Sequence, residues 1–192
     1  MLVLALNTAF MAMEAALVRD GEILADGREA MARGQDKALP GFVERLLGEA
    51  GISLSEINRF AVVTGPGSFT GIRIGVAYAR GLAMVKDVPC IGVSSIEAAI
   101  PAGMEGTVMG CLAAQKRPPG QTWWLQGVSA DAAIAEAMEV GLEELKVMLT
   151  GFHVPVFMQD AEALGELASR LDLRPLMPSA ITAALKGSFF DP

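Results

Sequence analysis

Eleven residues, Gly65-Pro-Gly-Ser-Phe-Thr-Gly-Ile-Arg-Ile-Gly75, follow directly on the apolar run Phe60 to Thr64 and lead into a helical pattern. Few folds tolerate so many glycines at a strand-to-helix junction, and a phosphate cradle is the first to test. A Walker loop reads G-x-x-x-x-G-K-[ST], with a lysine to reach the phosphate. Here Thr70 stands five places after Gly65, Ile72 five after Gly67, and no lysine follows. The dinucleotide pattern G-x-G-x-x-G fails as well, because Gly71 comes one place too late. Two readings stay open. Gly65, Gly67, Ser68 and Thr70 form a backbone nest for an anion or nucleotide at the helix start. Alternatively, Pro66 presets a turn, Gly67 supplies a positive φ, and Ser68 or Thr70 caps the helix.

The helix itself, about Thr70 to Val85, carries Gly71, Gly75 and Ala79 at steps of four. An interior helical glycine costs about 1 kcal/mol against alanine, a cost tolerated where another backbone comes close. The small side is expected to meet a helix. That neighbour is either Leu39 to Ala50 of the same chain or a helix of a partner protein.

Upstream, Leu2 to Leu6 reads as a strand covered on both faces. Met13 to Val18 and Glu22 to Arg28 follow as strands, joined by the hairpin signal Asp20-Gly21. Leu39, Phe42, Val43, Leu46, Leu47 and Ala50 repeat at helical spacing, with Asp36 as the expected N-cap and Gly51 as the stop. Arg59 to Thr64 and Pro89 to Val93 are strands, and a capped helical turn starts at Ser95. The second half repeats this order more loosely. Strands are expected at Thr107 to Ala114, Thr122 to Val128 and Val154 to Met158, with a turn at Lys116 to Gly120. Helices are expected at Asp131 to Val140, Leu142 to Leu149, Ala161 to Leu171 and Ser179 to Leu185. The order implies an α/β protein of two lobes built from duplicated βββαβα units, residues 1–100 and 101–192, as in actin-like ATPases.

With 192 residues, 52% of them hydrophobic, the chain can bury a sizeable core. Its net charge of −7 shows no basic stripe of the kind that binds nucleic acid unaided, since Lys116-Arg117 is the densest basic cluster. No apolar run reaches the ~18 residues of a membrane span, and the apolar start has no basic leader, so a cytoplasmic protein is expected. Cys90 and Cys111 are expected as buried thiols. A lone histidine, His153, leaves a metallopeptidase without its ligand pair. Ser68 lacks the G-x-S-x-G elbow of a serine hydrolase. Trp123 and Trp124 are adjacent on a strand, so only one is expected to be exposed.

The loop and helix, with Leu4-Ala-Leu-Asn-Thr8, Leu39-Pro40 and Ile91-Gly-Val-Ser-Ser95, resemble the bacterial TsaB (YeaZ) family, densely over residues 1 to 100 and then more thinly, with Pro178-Ser-Ala still fitting. The resemblance implies a two-lobed actin-like (ASKHA) fold. It implies a catalytically inert scaffold or activator, with no catalytic and no metal-binding residues, required for threonylcarbamoyladenosine formation in tRNA. The partners it implies are a TsaD-like transferase, a TsaE-like ATPase, and a second copy of the chain when alone. tRNA is then met only through the complex. No cofactor is implied, and ATP or ADP at a partner interface stays open. The helices around Leu39 to Leu47 and Gly71 to Arg80 become the partner surface: Leu39, Phe42, Val43, Leu46, Gly71, Ile72, Gly75, Val76 and Ala79. The alternative is an ATP-binding or ATP-hydrolysing enzyme using the cleft between lobes. Asn7 departs from the family's usual aspartate, and Ala114-Gln-Lys-Arg117 from its aspartate-alanine-arginine stretch.

Overall fold

The computed structural model describes residues 1–114, 120–129 and 132–189, the side chains of 187–189 apart. The expected turn at Lys116 to Gly120, and the departure at residues 115–117, lie largely outside these residues.

The first half folds in the expected order. Strands β1 (Leu2–Phe10), β2 (Ala12–Arg19) and β3 (Glu22–Ala30) form an antiparallel meander, and β4 (Arg59–Val63) and β5 (Cys90–Val93) add on parallel to β1. The sheet order is β3-β2-β1-β4-β5. Asp20 (φ 50°) and Gly21 (φ 87°) make the β2–β3 turn, both in the left-handed region that such a tight hairpin requires. Helices α1 (Gln35–Glu49) and α2 (Phe69–Lys86) lie on one face of the sheet. Gly34 (φ 83°) takes the cap position expected of Asp36, and Gly51 (φ 65°) ends α1.

β1 is apolar on both faces because both are covered. Leu2, Leu4 and Leu6 point under α1 and α2, against Leu39, Phe42, Val43 and Leu46. Val3, Ala5 and Ala9 point the other way, against Ala180, Ala183 and Ala184 of the last helix, α4 (Ala180–Phe189). That helix therefore packs on the first sheet, although its residues belong to the expected second lobe.

The second sheet is built on the antiparallel pair β6 (Thr107–Ala113) and β7 (Thr122–Ser129). Parallel strands β10 (Val156–Met158) and β11 (Leu173–Pro175) extend it on one side. On the other, β8 (Ala132–Ala133) and β9 (Met138–Gly141) both pair with β7. The helix expected from Asp131 to Val140 is thus corrected, with Asp131 outside the described residues. Its alanines favour helix locally, but pairing with β7 prevails, as tertiary context often does over propensity. α3 (Leu142–Thr150) is where it was expected. Ala161–Arg170 is 3-10 and not α-helical, broken at Gly165 (φ 59°, ψ −130°).

Leu39 is 1% exposed in the first core. Leu39→Ala should lower stability by about 2–5 kcal/mol, read as a shifted urea midpoint. A change under about 1 kcal/mol would mean that this side chain is not a core residue.

Candidate functional site

The glycine motif starts α2. Ser68 caps it, its Oγ accepting from the Gly71 N–H at 3.2 Å, which decides between Ser68 and Thr70. The positive φ lies at Gly65 (107°) and not at Gly67. Gly67 serves proximity instead, since a Cβ there would run into the Ala9 carbonyl oxygen. That oxygen accepts from the Ser68 N–H at 2.7 Å.

The small-residue stripe has the same cause. A Cβ at Gly71 would overlap the Thr8 carbonyl oxygen, and one at Gly75 would overlap Thr8 Oγ1. Thr8 Oγ1 donates to the Gly71 carbonyl at 2.7 Å, fully buried. The close neighbour is therefore the end of β1, neither of the two helices expected. At this end of β1 the pairing with β2 is irregular between Asn7 and Phe10, and Asn7 Oδ1 accepts from the Ala9 N–H at 3.1 Å. For an anion nest at Gly65, Gly67, Ser68 and Thr70 the consequence is direct. The Ser68 and Gly71 amides already have partners, and a carbonyl oxygen sits in the bend.

The predicted partner residues mostly turn inward. Leu39, Phe42, Val43 and Leu46 fill the first core, and Gly71, Gly75 and Ala79 are buried on the sheet. Ile72 and Val76 are half-buried. An apolar period records burial without saying against what, and here the chain's own sheet is the answer. The surface of α2 is carried by residues that the sequence reading missed. Phe69, Arg73, Ala77, Arg80, Met84 and Val85 form the opposite stripe, with Phe69 68%, Met84 82% and Val85 85% exposed. The Arg73 guanidinium lies 3.8 Å above the Phe69 ring. Their spacing was legible as the complement of the glycine stripe. Beside it, α1 presents Asp36, Glu44 and Glu49 with Lys37 and Arg45. Half-buried Tyr78 has its pKa raised by burial first and then by Glu44.

Between the lobes lies a cavity of about 390 Å³ lined by Phe10, Glu14, Arg28, Gln159, Met177 and Ser179, among others. Glu14 anchors it, with one carboxylate oxygen accepting from Arg28 Nε at 3.0 Å. The other accepts from Asn7 Nδ2 at 3.1 Å and the Ala180 N–H at 3.3 Å. A second cavity of about 240 Å³ touches the glycine loop and is lined by Phe10, Met11, Gly67, Ser68, Leu112 and Trp124. Trp123 is buried, its indole N–H donating to the Gln159 carbonyl at 3.2 Å, so only its neighbour reaches a cavity wall. His153 is exposed and lines neither cavity. Among the described residues, no group of three His, Cys, Asp or Glu side chains is placed to hold a metal ion. Cys90 and Cys111 are unpaired, and burial pushes the Cys111 thiol up to about 12.

Residues 29–117 match the family described as TsaD, tRNA N6-adenosine threonylcarbamoyltransferase. The chain is 42% identical over 96 residues to the tRNA threonylcarbamoyladenosine biosynthesis protein TsaB of Escherichia coli, covering 50% of this chain and 41% of that protein. A solved structure of YeaZ from Pseudomonas aeruginosa superposes with a TM-score of 0.74 at 25% identity, over 98% of this chain and 91% of that one. The chain is similar to the TsaB (YeaZ) family in both sequence and fold. It spans about two-fifths of the length of the curated TsaB relatives it matches. A ROK hexokinase from Thermus thermophilus superposes over 98% of both chains with a TM-score of 0.62 at 14% identity, so the chain has the two-lobed actin-like fold. The dense sequence match falls on the half that carries α1, the glycine loop and α2.

Two outcomes follow from the packing. Gly75→Leu should unfold the chain or cost several kcal/mol, because Thr8 Oγ1 occupies the space. Gly75→Ala should be relieved in part by Thr8→Ala, measured as a double-mutant cycle in urea. Strict additivity would contradict the contact. Separately, burial raises the Cys111 pKa to about 12 in the folded state from an ordinary thiol value of 9.0. The folded state thus favours the neutral thiol, a contribution complete below pH ~9 and lost as pH rises towards 12. From pH 8 to 10.5, wild type should lose up to about 2 kcal/mol more than Cys111→Ala. Equal losses would contradict the burial.

Proposed function

We propose that this chain is a non-catalytic subunit of the machinery that forms threonylcarbamoyladenosine in tRNA, acting as a scaffold or activator that pairs with a TsaD-like transferase through α1 and α2. The observation that carries this reading is the outward face of α2. Phe69, Met84 and Val85 are each more than two-thirds exposed, on a helix whose other side is locked to β1. Large apolar side chains lined up on a rigid helix, with arginines among them, have the make-up of an interface core. Ile72 and Val76 flank that stripe and join the proposed contact, whereas Leu39, Phe42, Val43, Leu46, Gly71, Gly75 and Ala79 support it from beneath.

Electrostatics allow the same face to meet a second copy when no transferase is present. α2 shows Arg73 and Arg80, α1 shows Asp36, Glu44 and Glu49, and an isologous pairing sets one against the other. A net charge of −7 leaves tRNA binding to the complex, which a TsaE-like ATPase joins. The reading needs no nucleotide in this chain's cleft, where Glu14 holds the start of α4. The reading puts the protein in the cytoplasm. No described helix is long and apolar enough to cross a membrane.

The test is co-elution of the chain with the TsaD-like protein of its own genome on size exclusion. The double variant Met84→Asp, Val85→Asp should keep its circular dichroism and melting midpoint. It should lose the complex or weaken it by about tenfold or more. Complex formation equal to wild type would contradict the reading, as would micromolar binding of ATP and magnesium to the isolated chain.

A further inference from the structure

Residues 94–100 carry the chain from β5 into the second lobe, and they are tied in three directions. Ser94 and Glu97 pair reciprocally: the Glu97 N–H donates to Ser94 Oγ at 3.0 Å, and the Ser94 N–H to Glu97 Oε2 at 2.8 Å. The turn expected at Ser95 is thus capped one residue earlier. Glu97 then reaches across. Its other oxygen accepts from the Ala133 N–H of β8 at 2.8 Å. The Ser94 hydroxyl donates to Gln126 Oε1 of β7 at 2.7 Å, and Gln126 Nε2 donates to the Ala135 carbonyl at 2.9 Å. Glu97 is only 9% exposed, so its charge relies on these bonds.

From the same few residues the backbone reaches the glycine loop. The Ser95 N–H donates to the Gly65 carbonyl at 2.7 Å, and the Thr64 N–H to the Val93 carbonyl at 2.9 Å. Apolar contacts fasten the rest. Ile96 sits in the second core, where a Cβ on Gly110 would displace it, and the Ala98 carbonyl accepts from the Ser179 N–H just before α4.

We propose that residues 94–100 are a strut through which the second lobe sets the position of the glycine loop and so of the start of α2, with Glu97 as its positioning residue. The proposal rests on the reading of α2 as the docking helix, and it makes partner binding depend on a residue remote from that surface. It accounts for a buried carboxylate whose two oxygens satisfy backbone amides of the connector itself and of β8. Such a group has one good geometry, and a change on the β7–β8 side is felt at Ser94, Ser95 and then Gly65.

Amide exchange on the full chain, read by mass spectrometry, tests this in wild type, Glu97→Gln and Ser94→Ala. Glutamine keeps the shape but turns an NH2 towards one of the two backbone amides. Exchange should quicken about tenfold over residues 63–70 as well as 132–136, and capture of the TsaD-like partner should weaken several-fold. Faster exchange confined to 132–136, with 63–70 as in wild type, overturns the strut. Should Glu97→Gln not fold, Ser94→Ala carries the same comparison, because it removes a single hydroxyl. Exchange that spreads to 63–70 while partner capture is unchanged overturns the link to docking and leaves the docking reading standing. A wild-type chain that captures no partner defeats the docking reading alone, and the exchange pattern still decides the strut.

Discussion

The architecture of the first lobe depends on one contact, the backbone of α2 against the end of β1. The Thr8 carbonyl and hydroxyl occupy the space that Cβ atoms on Gly71 and Gly75 would need. Each glycine costs the helix about 1 kcal/mol. The Thr8 hydroxyl bond to the Gly71 carbonyl, worth ~1 kcal/mol, and the burial of a helix face on the sheet offset that cost. Because the contact brings the α2 backbone itself onto Thr8, it fixes the rotation of α2 about its own axis. Phe69, Met84 and Val85 are turned outward as a direct result, and the Ser68 amide is drawn onto the Ala9 carbonyl.

Much of this was legible in the sequence, though not all for the right reason. Leu2 to Leu6 is apolar without alternation, and both faces of β1 are covered. Asp20-Gly21 marks its hairpin, and the period of Leu39 to Leu47 marks α1. The stripe Gly71, Gly75, Ala79 announces that a backbone lies close. Spacing alone names no neighbour, and the end of a strand leaves the same record as a helix. Residues 132–140 read as helix from their alanines, which favour helix until a neighbouring strand offers its edge, and that strand, β7, is set by contacts remote in sequence. The return of α4 to the first sheet is equally non-local. Its small residues Ala180, Ala183 and Ala184 fit beneath Val3 and Ala5, and nothing in their own spacing tells one lobe from the other.

The cleft shows how one substitution changes what a site can hold. Resemblance leads one to expect aspartate where Asn7 stands. An aspartate there would face Glu14 with like charge, whereas the Asn7 amide donates to it. Glu14 is thereby able to occupy the amino end of α4, with Arg28 on its other oxygen. In this chain the position most suited to an anion is filled from within. That arrangement supports the proposal that the exposed apolar face of α2, and not the cleft, is the working surface.

The orientation of α2 can be read most directly by thiol labelling, with and without the TsaD-like partner. Ala77 lies on the exposed side of the helix and Ala79 on the buried side. A cysteine placed at position 77 should react quickly with a maleimide and be protected when the partner is added, while one at 79 should stay unreactive in both states. Fast labelling at 79, or labelling at 77 that the bound partner leaves unchanged, would contradict the account.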